Sequence, residues 1–314
     1  MFFKDYTDIM PEANPIRINA HKGPCYVIKF SQSGEHLISG GADKVINIWN
    51  PFKGLLIKSL TNIHSQEILD LVITNDNNKV LTSGMEKVIY YSDLVKGNVI
   101  RRFQSHLERV NTITMNSLES VIISGSYDCS VRMFDLKSQN RDPIQVLSGA
   151  KDSITKVVAL KEKIISSSLD KGLRVYDIRM GQMQLDYINS PILSFDLSPD
   201  EKYFILSGKD SSVRLMENAT GDILKSYTGG HDNSNYSNRV MYNSSDYSSF
   251  FVTSEDSKLV NYNIVSGESN KDAFEMLNTG ISKCVSGLDV SPIDKSIIAC
   301  SCHEGNIYIY NSKF

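Results

Sequence analysis

Three intervals of identical length constrain this chain more than any other feature. His21 precedes Asp43 by 22 residues, His64 precedes Glu86 by 22, and His106 precedes Asp128 by 22. Around the first pair the residues read as three short strands: Tyr26 to Phe30, a run ending Ile38-Ser39-Gly40-Gly41, and Val45 to Trp49. Turn chemistry separates them at Ser33-Gly34 and Ala42-Asp43. This is one unit of an up-and-down antiparallel sheet. Its histidine, serine, aspartate and tryptophan can form a single polar network, in which Asp43 holds His21 and Ser39 bridges the imidazole to the indole N–H of Trp49. Buried donors and acceptors need partners, so these four groups are cheap together and costly apart.

The rest of the chain reads as further copies. With the turn acid as anchor they fall at Asp43, Glu86, Asp128, Asp170, Asp210, Asp256 and Glu304, separated by 43, 42, 42, 40, 46 and 48 residues. A period of about 40 to 45 residues is that of four-stranded propeller blades. Six residues beyond each anchor stand Trp49, Ser92, Phe134, Tyr176, Met216, Tyr262 and Tyr310, each followed by a polar residue. The strand pattern therefore survives where tryptophan is lost. His106, Ser124 and Asp128 repeat the network in the third copy, whereas the fourth lacks the histidine and keeps Ser166 and Asp170. The expected fold is all-β, a seven-bladed WD-repeat β-propeller over residues 15–314 after a lead-in of residues 1–14. The last third strand, Asn306 to Tyr310, has only four residues after it, so the seventh blade lacks an outer strand. Pro15 to Ala20 alternates apolar and polar residues, and is expected to supply that strand and close the ring.

A net charge of −3 and a pI near 6.1 remove the electrostatic case for bulk nucleic-acid binding. No segment approaches 18 uninterrupted apolar residues, and the first residues lack a stretch of signal-peptide length. Five cysteines without framework spacing suit a reducing compartment. The expectation is a monomer in cytoplasm and nucleus, with no membrane or direct nucleic-acid contact.

Candidate chemistry gives way to structure at each point. Ser39, His21 and Asp43 have the residue types of a catalytic triad, but the trio recurs as Ser124, His106 and Asp128, and no G-x-S-x-G elbow is present. His303-Glu304 begins an H-E-x-x-H pattern that ends on Ile307; Cys300, Cys302 and His303 lack a fourth ligand at sensible spacing. Gly208-Lys209 has no phosphate-loop glycine upstream. No catalytic, cofactor or metal site is expected.

A binding ring remains. Loops before each first strand and between second and third strands gather on one face, which would hold Tyr26, Glu67, Arg109, Ile192, Arg239 and Lys283. Arg101 and Arg102 read as solvated charges that protect an outer strand. Lengthened connections at Gly229 to Asn238 and Gly267 to Gly280 are places for binding features. Tyr176-Asp177-Ile178-Arg179 resembles the W-D-x-R box by which some propellers dock onto the adaptor of a cullin-type ubiquitin ligase. The alternative function is therefore a ligase substrate receptor working through Arg179.

Several stretches resemble one family more specifically: Trp49-Asn50-Pro51-Phe52-Lys53-Gly54, Val110-Asn111-Thr112, Ile123-Ser124-Gly125-Ser126, and Tyr176 through Gln182 with Asp186-Tyr187 and Ser190-Pro191-Ile192. They are similar to the WD-repeat family called mitogen-activated protein kinase organizer, colinearly over nearly the whole ring. The likeness departs in blade six and at Ser92 and Tyr262. It implies a non-catalytic scaffold found with the spliceosome and associated with the extracellular-signal-regulated kinase cascade. Its expected partners are proteins.

Overall fold

A computed structural model describes residues 15–234, 238–243, 248–266 and 284–311. The lead-in 1–14, the Gly267 to Gly280 connection and Lys283 lie outside the described residues. The described residues form seven antiparallel sheets and no helix. The first blade is Cys25–Phe30, Leu37–Gly41, Ile46–Asn50 and Leu55–Leu60, ordered from the innermost strand outwards. Each later blade repeats that order. Three strands of the sixth are described: Val240–Tyr242, Ser249–Thr253 and Leu259–Asn263.

Ring closure follows the sequence expectation. Ile16–Asn19 is the outer strand of the seventh blade, antiparallel to Asn306–Asn311, with Ile16 opposite Ile309 and Ile18 opposite Ile307. Gly305 O accepts from both Ala20 N (2.9 Å) and His21 N (3.0 Å), which fixes the turn from closing strand into first blade. Ile18, Ala20, Cys25, Ile28 and Trp49 pack with Ile297, Ala299, Ile307 and Ile309 in one buried cluster. The two ends of the sequence thus share a core.

Neighbouring blades interlock through the innermost strands. In six sheets the register slips after the first residue of that strand, as between Cys25 and Val27 or Ile68 and Asp70. A bulge of this kind re-aims the following side chains. Where the network serine is followed by glycine, the next blade moves in: a Cβ on Gly125 would stand 2.4 Å from Ile154 Cγ2, and one on Gly40 would stand 2.8 Å from Ile68 Cγ2.

Polar ties complete the seams. Three inner-strand aspartates each accept a backbone N–H from the next blade: Asp70 from Ile113 (3.0 Å), Asp196 from Tyr242 (2.8 Å) and Asp289 from Phe30 (2.7 Å). At the rim, outer-strand cations tie the seams by donating to backbone carbonyls of the next blade. Lys58 donates to Leu94 O (3.1 Å) and Val95 O (2.6 Å), Arg101 to Leu136 O (3.1 Å) and Asn140 O, and Lys225 to Val265 O (2.5 Å). These three hold the same register, opposite the residue before the tryptophan position. Arg101, expected as a solvated charge, is instead a brace between second and third blades, and its guanidinium also lies 4.6 Å from the Phe103 ring.

Candidate protein-interaction surface

The polar network is complete in the first blade. His21 Nδ1 lies 2.8 Å from Asp43 Oδ1, His21 Nε2 lies 2.7 Å from Ser39 Oγ, and Trp49 Nε1 donates to Ser39 Oγ at 2.9 Å. With a carboxylate at Nδ1 the neutral imidazole carries its proton there, so Ser39 donates to Nε2 and accepts from the indole. Burial would raise the Asp43 carboxyl, but bonds from His21, Lys22 N and Val45 N outweigh it and hold the pKa below the usual carboxylate range. The third blade repeats the geometry, with His106 2.9 Å from Asp128 and 2.7 Å from Ser124. Burial lowers the His106 pKa.

Elsewhere other residues take the same places. In the second blade Thr82 meets His64 Nε2 at 2.7 Å, while Glu86 accepts from Gln66 N (2.9 Å) and the Tyr90 hydroxyl. Blades four and five, which lack the histidine, tie the turn acid to an arginine four residues on: Arg174 Nη2 to Asp170 at 2.6 Å, and Arg214 to Asp210. In the sixth blade His231 Nδ1 lies 2.8 Å from the hydroxyl of Tyr262, which occupies the tryptophan position. In blades one to five the turn acid is thus committed to partners that hold its turn.

The centre of the ring is a cavity of about 400 Å³ lined by charged residues from six blades: Lys29, Asp70, Lys156, Asp196, Arg239 and Asp289. Lys29 pairs with Asp289 at 2.7 Å and Arg239 with Asp70 at 3.4 Å. Lys156 Nζ donates to Phe195 O at 2.5 Å; burial lowers its pKa to about 8, with Asp196 opposing. Arg239, expected on the binding face, is thus a channel residue braced from within.

One arc of the rim carries three of the expected residues, Tyr26, Glu67 and Arg109. Burial and a hydrogen bond to Glu67 push the Tyr26 hydroxyl up to about 12, and on its other side the Tyr26 ring meets His303 edge-on at 5.7 Å. Glu67 O accepts from Met85 N at 2.9 Å, and Met85 Sδ lies 3.8 Å from Arg109 Nη1. The Arg109 guanidinium stands 4.8 Å from the ring centre of Tyr127, whose side chain is 48% exposed. Arg109 Nε is buried with no hydrogen-bond partner among the described residues, and no carboxylate there pairs with the guanidinium. His303, Tyr26, Glu67, Met85, Arg109 and Tyr127 therefore run continuously across blades seven, one, two and three. Aromatics, methionine and arginine are the types enriched at the cores of protein interfaces.

Besides Arg239, two expected residues fall outside the arc, Ile192 and Arg179. Ile192 is 1% exposed and packs with Leu173, Phe195 and Phe204 in a core between blades. It holds the place of Cys25 in blade one and Ile68 in blade two, the residue before the register slip, which is buried in each. Arg179 is exposed after the third strand of blade four, 3.5 Å from Glu162. Lys283 is not described. Sequence reasoning missed Met85, Tyr127 and His303; all three lie beside or in the turns between second and third strands, which the turn-acid anchors mark.

The model of the WD domain, G-beta repeat, matches residues 14–50 and 97–135. The chain is 32% identical over 280 residues to the WD repeat domain-containing protein 83 homolog of Dictyostelium discoideum, covering 80% of this chain and 85% of that protein. It is 33% identical to WD repeat domain-containing protein 83 of Rattus norvegicus, over 82% of this chain and 81% of the other. It is also 32% identical to the U5 small nuclear ribonucleoprotein 40 kDa protein of Dictyostelium discoideum, over 52% of this chain and 46% of that one.

Proposed function

The chain belongs to the WD-repeat family of WD repeat domain-containing protein 83, and from that premise we propose that it is a non-catalytic scaffold associated with the spliceosome. WD40 propellers generally bind proteins, and the observation that carries this reading is the arc from His303 to Tyr127. Its central guanidinium is fixed over an aromatic ring with its charge unpaired by any described carboxylate. A fixed arginine binds a partner carboxylate or backbone carbonyl with little further loss of side-chain entropy. The likeness to a U5 ribonucleoprotein component supports splicing as the setting. Organising a mitogen-activated protein kinase cascade is the second assembly that the family resemblance implies. Affinity purification from nuclear extract, with and without RNase, tests the reading. Recovery of splicing proteins in both arms supports it. Recovery of kinase-cascade proteins alone would transfer the scaffold to the second assembly.

The ubiquitin-ligase reading rests on the exposure of Arg179 after a Tyr-Asp-Ile sequence. It predicts recovery of a cullin adaptor, lost on Arg179→Ala.

A further inference from the structure

We propose that the outer edge of the first blade binds an extended, acid-flanked apolar segment of a partner protein, which adds as a fifth strand beside Leu55–Leu60. The rim arc plays no part in this contact. Leu55, Leu56 and Ile57 are 60%, 50% and 52% exposed, and Phe52, in the turn that feeds the strand, is 59% exposed. The strand pairs on one side only, with Ile46–Asn50, so its other backbone edge is open among the described residues.

Four other outer strands interrupt their apolar residues with charged or polar ones: Arg101 and Arg102 in blade two, Gln184 and Asp186 in blade four, Lys225 in blade five, Arg17 in blade seven; that of blade three, Gln145–Ser148, carries no charge but is four residues long and alternates Val146 with polar Gln145. Such charges discourage strand addition. The first blade presents three consecutive exposed apolar residues before its first charge, Lys58, whose amine is turned onto the carbonyls of Leu94 and Val95. The open backbone edge together with this uncharged run is what strand addition requires.

The size of the patch selects the occupant. Four side chains at half to three-fifths exposure make roughly 400 Å² of apolar surface, the scale of a functional patch. A stable dimer needs about 800 Å² from each copy. An added strand gains backbone hydrogen bonds as well and so needs less apolar area. Charge selects its flanks: residues 50–60 carry Lys53 and Lys58 and no acid, and Lys96 is exposed in the turn that Lys58 grips. Acidic residues at both ends of the incoming segment complement the exposed amines of Lys53 and Lys96.

The test uses the full chain and a fluorescent nine-residue peptide, two aspartates on each side of Val-Thr-Val-Thr-Val, read by fluorescence anisotropy. Binding that weakens at least about tenfold on Ile57→Lys or Leu55→Lys, with unchanged melting temperature, and that is insensitive to Ile100→Lys and Arg109→Ala, is the expected result. A lysine-flanked peptide should bind more weakly, with the difference shrinking at high salt. Equal binding by the blade-one variants would overturn the proposal. So would a dimer in sedimentation that Ile57→Lys dissolves, which gives the edge to a second copy. A rise in peptide affinity on replacing Phe2 and Phe3 by aspartate would give it to the chain's own leading residues.

Discussion

Arg239 on the sixth blade reaches across the central cavity to Asp70 on the second, Nη2 to Oδ1 at 3.4 Å. The other oxygen of Asp70 accepts Ile113 N from the third blade at 3.0 Å. One carboxylate thus ties a seam and spans the ring. Asp70→Ala should therefore cost more than Arg239→Ala, because it orphans a buried N–H as well as a guanidinium. We expect about 1–2 kcal/mol for Arg239→Ala, whose side chain keeps some solvent, and a larger loss for Asp70→Ala. Thermal melting monitored by circular dichroism orders the two; the reverse order would deny Asp70 its double role.

Asp43 and Asp200 are both turn aspartates, with different duties. Asp43 holds a buried imidazole and the backbone N–H of Lys22 (3.1 Å), whereas Asp200 bonds its own turn through Ser198 Oγ (2.5 Å). Asp43→Ala should cost on the order of 1–3 kcal/mol, visible as a drop of several degrees in melting temperature. Asp200→Ala should move it far less. Equal shifts would count against the network.

In blade four an arginine stands where other blades use histidine. Arg174 is fully buried and pairs with Asp170 at 2.6 Å. Removing either partner leaves an uncompensated charge, which costs about 3–5 kcal/mol when both are buried. Arg174→Ala should thus destabilise more than Arg132→Ala, whose aspartate keeps His106. Urea midpoints of the two variants measure this.

Acid should loosen the ring in a defined window. Burial lowers the His231 pKa to about 4, against opposing pulls from Asp256, Asp232 and Asp210, and the Tyr262 hydroxyl donates to Nδ1 of the neutral ring. The unfolded chain binds this proton near pH 6.5. Stability contributed by the neutral ring is therefore whole above about pH 6.5 and is lost as pH falls towards 4. His64 and His106, also lowered mainly by burial, act in the same direction. Below about pH 4 the Asp43 and Asp128 carboxylates, both held low, add their own loss. Melting temperature should fall from pH 6.5 to 4.5, and less steeply in His231→Gln. Identical slopes would remove His231 from the account.

Sequence reasoning reached the parts of the fold that repeat or alternate. The 22-residue spacing follows from a histidine and an acid meeting across one turn, so it located the first three blades directly. The closing strand was legible because Ile16 and Ile18 alternate with Arg17 and Asn19 against a seventh blade that lacked a partner. Arg174 and Arg214 were not, since an arginine in a strand has the same appearance whether it turns to solvent or to its own turn acid. The slip in six of the inner strands explains the mixed outcome on the rim. Tyr26 stands at the slipped position, between Cys25 and Val27, and meets His303, whereas Ile192 holds the place of Cys25 one residue earlier, and both of those are buried. The arc itself joins His303 to Tyr26, residues nearly a whole chain apart, and so exists only once the ring is closed.

The most direct test of the scaffold account is a quantitative comparison of proteins recovered from nuclear extract by the unaltered chain, by the Arg109→Ala, Tyr127→Ala double variant, and by Arg179→Ala. The account predicts that the double variant keeps its melting temperature and loses the splicing proteins, while Arg179→Ala retains them. Full recovery by the double variant, or loss confined to Arg179→Ala, would contradict it.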